Sequence, residues 1–395
     1  MKLGRRRTFL GAAAIAVVCL IGAATHVTAL RAEAVAQAGP AAPADDAPVM
    51  VDDVFKSVVL LKGIPVDQFF DAMGMFANAM GNDCTFCHSP RAALNRAEFA
   101  TGTPRLQRAR QMILMMQTIN KQFFGGEPRV TCFTCHHGTQ SPRSDPNFAL
   151  QYGPPIPDPI ARDFPTDPRG NAQQIFDRYI QAIGGPANIA KLTGLSAKGT
   201  YLGFDTAFTK VPAELYAQPG KFAAIVHMDS GDSYRTYDGR SGWHAGPDTA
   251  IPLINLTTGN LDRYRLDAAV AFPTALRSTY NDWRVGRTAD ETQEYMVLQA
   301  SENGQPIVNL YFDEKGMLSR LVRFDRTPVG FVPTQIDYSD YRDVAGVKVP
   351  FKKVISQTYM QATWEFTDIQ ANPTIPATRF QRPAPFKEPA PKPGA

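Results

Sequence analysis

The sequence has 395 residues, of which 44% are apolar and 20% charged, and its formal net charge is +4. That texture is globular and long enough for two cores. Near-balanced charge without a long basic stripe excludes a nucleic-acid-binding surface.

Residues 1–38 are expected to be an export signal or an uncleaved N-terminal anchor. Lys2, Arg5, Arg6 and Arg7 precede an apolar run from Phe9 to Ala24, and Ala36-Gln37-Ala38 resembles an A-x-A cleavage site. Arg6-Arg7-Thr8-Phe9-Leu10 also has the twin-arginine form. An anchor would use Phe9 to Leu30, with Thr25, His26 and Thr28 inside the span. Either way, the rest of the chain is expected to work in the periplasm. Residues 39–50, rich in Ala, Pro and Asp, read as a disordered tether.

Residues 51–140 carry one plan twice. Gly63-Ile64-Pro65 opens a helix on which Phe69, Met73, Phe76 and Met80 share a face, and Gly81-Asn82 closes it. Cys84-Thr85-Phe86-Cys87-His88 follows. Thr103-Pro104 then starts a second helix, with Arg105, Arg108 and Arg110 outside and Met112, Ile113, Met115, Met116 and Ile119 partly inside. Gly125-Gly126 ends it, and Val130-Thr131 leads into Cys132-Phe133-Thr134-Cys135-His136.

Each C-x-x-C-H is the attachment signature of c-type haem: two thiols add to the porphyrin vinyl groups, and the adjoining imidazole becomes the proximal iron ligand. Two haems are therefore expected, held covalently by Cys84, Cys87, Cys132 and Cys135, with His88 and His136 on iron. The fifth cysteine, Cys19, lies in the apolar N-terminal run, so no pair remains for a structural disulfide. A four-thiolate zinc site would use the same cysteines but leaves two histidines in identical register unexplained. Because c-type haem is attached outside the cytoplasmic membrane, Sec-type export is expected. A methionine as sixth ligand closes the iron and raises its potential, whereas an open position binds small molecules. Methionine is also a common core gap-filler. Met73 lies three turns before Cys84, on the face a following haem would cover; Met75 points elsewhere, and Met80 is too near the motif. His137 reads as a solvated surface residue.

Ile64-Pro65-Val66-Asp67-Gln68-Phe69-Phe70, Met73-Gly74, Asn82-Asp83-Cys84, the run from Arg110 to Asn120 and Val130 to His136 resemble the multihaem cytochrome c subunit of photosynthetic reaction centres. The resemblance covers about residues 52–145. It implies a sixth ligand from a methionine on the helix before each motif: Met73 for the first haem and Met115 for the second, with Met112 as fallback. Reaction-centre members of that family have four haems in a longer chain, and this chain has two motifs.

Residues 141–170 contain Pro142, Pro146, Pro154, Pro155, Pro157, Pro159, Pro165 and Pro168 and read as an extended linker draped over the N-terminal unit. Residues 171–382 read as a β-rich domain. It opens with an amphipathic helix (Ile175, Phe176, Tyr179, Ile180, Ile183) and continues with strands at 221–228, 294–300, 307–312, 318–324, 335–341, 347–355 and 358–367, with a hairpin at Asp313-Glu314-Lys315-Gly316. Ala217 to Lys221 and Tyr237 to Trp243 faintly resemble periplasmic lipoprotein-carrier half-barrels, which implies an apolar ligand or a docking surface. His227 and His244 are the histidines here, without a nucleophile or metal signature around them. Residues 383–395 read as a disordered tail. The expected fold is α+β, a mainly α dihaem cytochrome c domain followed by a curved antiparallel β-sheet domain with a helix. The expected function is single-electron transport between redox partner proteins or a membrane electron-transfer complex, without catalysis. The alternatives are a peroxidase-like dihaem enzyme with one open iron and a lipid- or lipoprotein-binding module bearing haem.

Overall fold

A computed structural model describes residues 46–93, 96–153, 162, 164–290 and 293–387. The export segment, most of the tether and the end of the tail lie outside the described residues. Helix α1 spans Val66–Met80; Pro65 precedes it in extended conformation, and Gly81, left-handed at φ 61°, returns its N–H to the Ala77 and Asn78 carbonyls. Helix α2, Pro104–Phe123, starts on Thr103, whose side chain accepts from the Leu106 N–H at 3.0 Å. The short α3, Cys132–His136, starts with a capping box in which Thr131 and Thr134 serve each other's backbone N–H. Helix α4, Ala172–Ala182, is capped by Asn171. Helix α5 spans Thr258–Ala271.

The remainder is one antiparallel sheet of thirteen strands. In chain order they are β1 Leu195–Gly203, β2 Val211–Gln218, β3 Lys221–Met228, β4 Gly231–Tyr237, β5 Gly242–Ala245 and β6 Ile254–Asn255 before α5. After α5 come β7 Trp283–Ala289, β8 Glu294–Glu302, β9 Gln305–Phe312, β10 Leu318–Thr327, β11 Gly330–Val344, β12 Val347–Ser356 and β13 Gln361–Ala371. The spatial order is β6-β5-β4-β3-β2-β1-β13-β12-β11-β10-β9-β8-β7, two meanders joined where β1 pairs with β13. The sheet is open and curved, so the fold is α+β.

Strand alternation sends one set of side chains to an inner face, where α4 and α5 lie. Phe176, Tyr179 and Ile183 of α4 and Tyr264, Leu266 and Ala268 of α5 form one core with Leu298, Leu310, Phe312 and Trp364. On the opposite face Tyr295, Val297, Tyr311, Val322 and Phe324 make a smaller cluster, covered by Phe164 and Phe331. The described end of the proline-rich stretch lies there: Thr166 bridges Gly286 of β7, and the Asp167 N–H reaches the Val285 carbonyl at 2.9 Å; residues 154–161 and 163 of the stretch lie outside the described residues. Gly286 is required, because a Cβ would overlap the Phe164 ring.

Helix α1 sits on the loops at one end of the sheet. Ala72 and Met75 share a small core with Met116 of α2 and with Val329 and Val332 around the β10–β11 turn. Gly74 is pressed against Thr358 and Tyr359 of the β12–β13 turn, and Gly330 against Thr131.

Candidate functional site

The two C-x-x-C-H motifs meet at the C-terminal end of α1. The first leaves that helix directly. Asp83 organises its opening turn by accepting from the Thr85 N–H at 2.8 Å and hydroxyl at 2.6 Å. The second closes back on it, with the Gly138 N–H on the Ala79 carbonyl at 3.0 Å. Gly81 must be glycine twice over, for its left-handed φ and because a Cβ would overlap the Gly138 carbonyl oxygen.

Both histidines of the motifs are held in the same way. His88 Nδ1 lies 2.9 Å from the Phe99 carbonyl, and His136 Nδ1 lies 3.1 Å from the Thr139 carbonyl. A carbonyl only accepts, so Nδ1 carries the proton and Nε2 presents its lone pair. Burial holds the His88 imidazole below its usual range, against the Phe99 bond that favours the cation, and Arg110 adds to the lowering. Cys84, Cys87, Cys132 and Cys135 form no disulfide among the described residues. Burial raises the Cys84 and Cys87 thiols and pushes Cys132 up to about 11, with Cys135 and Cys87 adding to the effect on Cys132. Among the described residues no three His, Cys, Asp or Glu side chains converge on a point where a bare metal ion would bind.

Helix α1 buries two aspartates beside Val66, Ala72 and Met75 and leaves large apolar side chains half open. Asp67 and Asp71 are 6% and 7% exposed, whereas the apolar stripe of Phe69, Met73, Phe76 and Met80 is only half-buried. Met75 and Met116 are the gap-fillers of the small core. Met73 stands at its edge on the half-open stripe. On α2 only Ile113, Met116 and Asn120 turn fully inward. Met115, expected partly inside, is 48% exposed beside an exposed Leu114, and Met112 is half-buried. Phe99, Phe123 and Phe133 are exposed as well. Apolar surface therefore surrounds the motifs without protein to cover it, which suits a large flat apolar group.

Sequence reasoning missed several contributors. The Phe99 and Thr139 carbonyls carry no residue-type signal. Arg105, expected to point outward, stacks over the Phe86 ring at 4.3 Å and donates to the Phe86 carbonyl at 3.3 Å. Thr103, the α2 cap, also donates to the Cys87 carbonyl. Arg96, between the motifs, donates to the Thr249 carbonyl at 2.5 Å and to the Pro247 carbonyl, fastening that segment to the loop after β5. His137 is exposed and left-handed at φ 49°, ending α3 with its ring against Phe133.

The histidines of the sheet serve structure. His227 Nδ1 meets Asp232 at 2.8 Å. His244 presents the same nitrogen, Nε2, to Asp248 at 3.0 Å and to Ser233 at 3.2 Å. A nucleophile and an orienting carboxylate need opposite nitrogens, so this is no relay. Asp248 also pairs with the buried Arg235 at 3.0 Å. Its own burial opposes ionisation, but His244 and Arg235 hold its carboxyl well below the usual range.

Residues 10–146 match the family model described as the photosynthetic reaction centre cytochrome C subunit, well under half of the chain. That span includes both motifs and the helices before them, the stretch that resembles this family in sequence. No curated protein matches the chain. Among solved structures, a LolA superfamily protein from Nitrosomonas europaea is similar at TM-score 0.35 and 13% identity, over 54% of this chain and 98% of that one. A domain assigned to outer membrane lipoprotein sorting from Vibrio parahaemolyticus is similar at TM-score 0.35 and 8% identity, over 53% and 97%. A DUF1329 family protein from Desulfovibrio piger is similar at TM-score 0.36 and 7% identity, over 53% and 96%.

Proposed function

We propose that the protein is an exported, periplasmic dihaem c-type cytochrome that passes single electrons between redox partner proteins or to a membrane electron-transfer complex. The family match to a cytochrome c subunit gives the cytochrome-like electron-transfer role. The observation that supports the finer reading most is the half-open apolar stripe of α1. A helix that sinks two aspartates and leaves Phe69, Met73, Phe76 and Met80 half open is built for an apolar partner on that stripe.

Cys84 and Cys87 would hold one haem through thioether bonds, and Cys132 and Cys135 the other. His88 and His136 would bind iron through Nε2. Met73 would supply a further ligand to the first haem and Met115 to the second, with Met112 as the fallback. The haem iron, when bound, supplies one-electron chemistry between its ferric and ferrous forms. The chain does the rest. The Phe99 and Thr139 carbonyls keep the proton on Nδ1 and so fix ring orientation and tautomer. Phe69, Phe76, Phe99 and Phe133 exclude water. The Gly81–Gly138 contact keeps the two motifs adjacent, which favours electron exchange between them.

The exposure of Met115 favours a second reading, in which the second iron keeps an open position and the protein is a dihaem redox enzyme. A visible-spectrum redox titration of the holoprotein, with carbon monoxide added to the reduced form, separates the two. The electron carrier is expected to show two low-spin haems, a Met–ferric charge-transfer band and no carbon monoxide shift. A high-spin haem that binds carbon monoxide would overturn it in favour of the enzyme.

A further inference from the structure

The two buried aspartates of α1 have a defined counterpart nearly two hundred residues downstream. Asp67 accepts from the Thr257 N–H at 2.7 Å and from the Thr257 hydroxyl at 3.0 Å. Asp71, one turn further on, accepts from Asn260 Nδ2 at 2.7 Å. Gln68 donates to the Thr258 hydroxyl at 3.1 Å. Thr257, Thr258 and Asn260 are the cap and first turn of α5, and Thr257 makes no side-chain cap of its own. The Asp67 carboxylate thus accepts in trans from the N-cap N–H, the bond that the N3 side chain of a capping box makes, at a helix end where the dipole favours a negative charge. Arg323 of β10 donates to the carbonyl of Gly259 in the same turn at 2.8 Å and pairs with Asp325, so the sheet itself holds this end of α5.

At 100° per residue, Asp67 and Asp71 lie on the side of α1 roughly opposite Met73. Gly74, on the same side as the aspartates, is pressed onto Thr358 and Tyr359, so α1 cannot sink closer. The α5 clamp and the Gly74 contact together fix the rotation and height of α1.

We propose that Asp67 is a positioning residue for the sixth ligand of the first haem: by docking α1 on the first turn of α5 it sets where the Met73 sulfur stands. The role rests on the dihaem reading and on Met73 as ligand. It assigns to the sheet domain a hydrogen-bonded clamp on the helix of Met73, whereas α2, which carries Met115, meets the sheet through the apolar packing of Met116 on Val329 and Val332.

The test is Asp67→Ala in the full holoprotein, compared with Asp67→Asn, which keeps one acceptor for Thr257. Each is read by far-ultraviolet circular dichroism, the Met–ferric charge-transfer band, carbon monoxide uptake and a redox titration resolving both haems. With secondary structure intact, Asp67→Ala is expected to lose about half of the band, since one of two Met ligands is released. It should bind about one carbon monoxide per chain and lower the potential of one haem while the other stays put. Asp67→Asn should recover part of the band. Thr257→Val, which removes the hydroxyl and keeps the N–H, serves if Asp67→Ala does not fold, and is expected to weaken the band in the same direction. A folded variant with an undiminished band and both potentials unchanged would overturn the positioning role alone. A wild-type protein without the band would overturn the ligation reading and this proposal with it.

Discussion

Gly81 and Gly138 offer a controlled measurement of how tightly the two motifs are joined. Both glycines are left-handed, at φ 61° and φ 79°. A Cβ at Gly138 meets nothing within 4 Å, whereas one at Gly81 overlaps the Gly138 carbonyl oxygen. Left-handed backbone costs an L-residue about 1–2 kcal/mol. Loss of glycine's freedom in the unfolded chain returns about 0.4–1 kcal/mol. Gly138→Ala should therefore destabilise by about 0–1.6 kcal/mol. Gly81→Ala carries the same backbone term plus the overlap. Relieving it means moving α1 off the second motif, with loss of the Gly138–Ala79 hydrogen bond, worth about 1 kcal/mol, and local repacking of similar size. The total is about 3 kcal/mol. Urea unfolding of the two holoproteins measures the difference. If the two variants lose the same stability to within about 0.5 kcal/mol, the usual effect of an uncoupled substitution, the motifs do not abut as described.

Other outcomes follow from the same geometry. Cys84→Ser with Cys87→Ser should yield protein whose intact mass carries one haem fewer, with the second haem's spectrum retained; loss of both would mean that the sites assemble as a unit. Asn120→Ala removes the bonds from Nδ2 to the Val130 carbonyl at 2.7 Å and from the Val130 N–H to Oδ1 at 2.8 Å. It should cost about 2 kcal/mol in urea unfolding, and a cost near zero would mean that the approach to the second motif needs no such tie. Burial, with the Asp325 carboxylate adding to it, pushes Asp71 up to about 7 against Arg323 and Asn260, which pull it down. The folded carboxyl then keeps a proton that the unfolded one has released, so stability should fall as pH rises from about 4 to about 7, by at most about 1.4 kcal/mol per unit. Asp71→Asn should flatten that slope, and an unchanged slope would assign it to another group.

Wherever one residue type decides a local conformation, the chain was legible. Pro65 and Gly81 bound α1, Thr103 and Pro104 start α2, and Asp313 to Gly316 turns β9 into β10. Strand β3 falls on the strand-like run from Lys221 to Met228. Helix α5 was not legible, because its buried Tyr264, Leu266 and Ala268 recur at every second residue, a strand's spacing, and its seat is made by distant strands. Strands β4 and β5 are mixed in polarity and take their partners from the sheet, as β1 does from β13. In α1 the stripe was read correctly but the buried side was not. Asp67 and Asp71 look like surface residues until Thr257 and Asn260, far along the chain, supply their hydrogen bonds. The cysteines and histidines of both motifs could be named from sequence, but the carbonyls that orient the histidines belong to residues with no chemical mark.

The pairing of β1 with β13 sets an order of events. The last strand in the chain is the only partner β1 has besides β2, so the two halves of the sheet stay separate until residue 371 has emerged. The turns on which α1 rests, around Thr257, Val329 and Tyr359, are also late in the chain. Contacts over such separations form slowly, because a long loop must close before any of them repays it. A nascent chain therefore presents both cysteine pairs on an unseated segment throughout the synthesis of everything that follows. Until those late turns arrive nothing in the sheet holds α1, and the helix between the strands and the motifs takes its seat last.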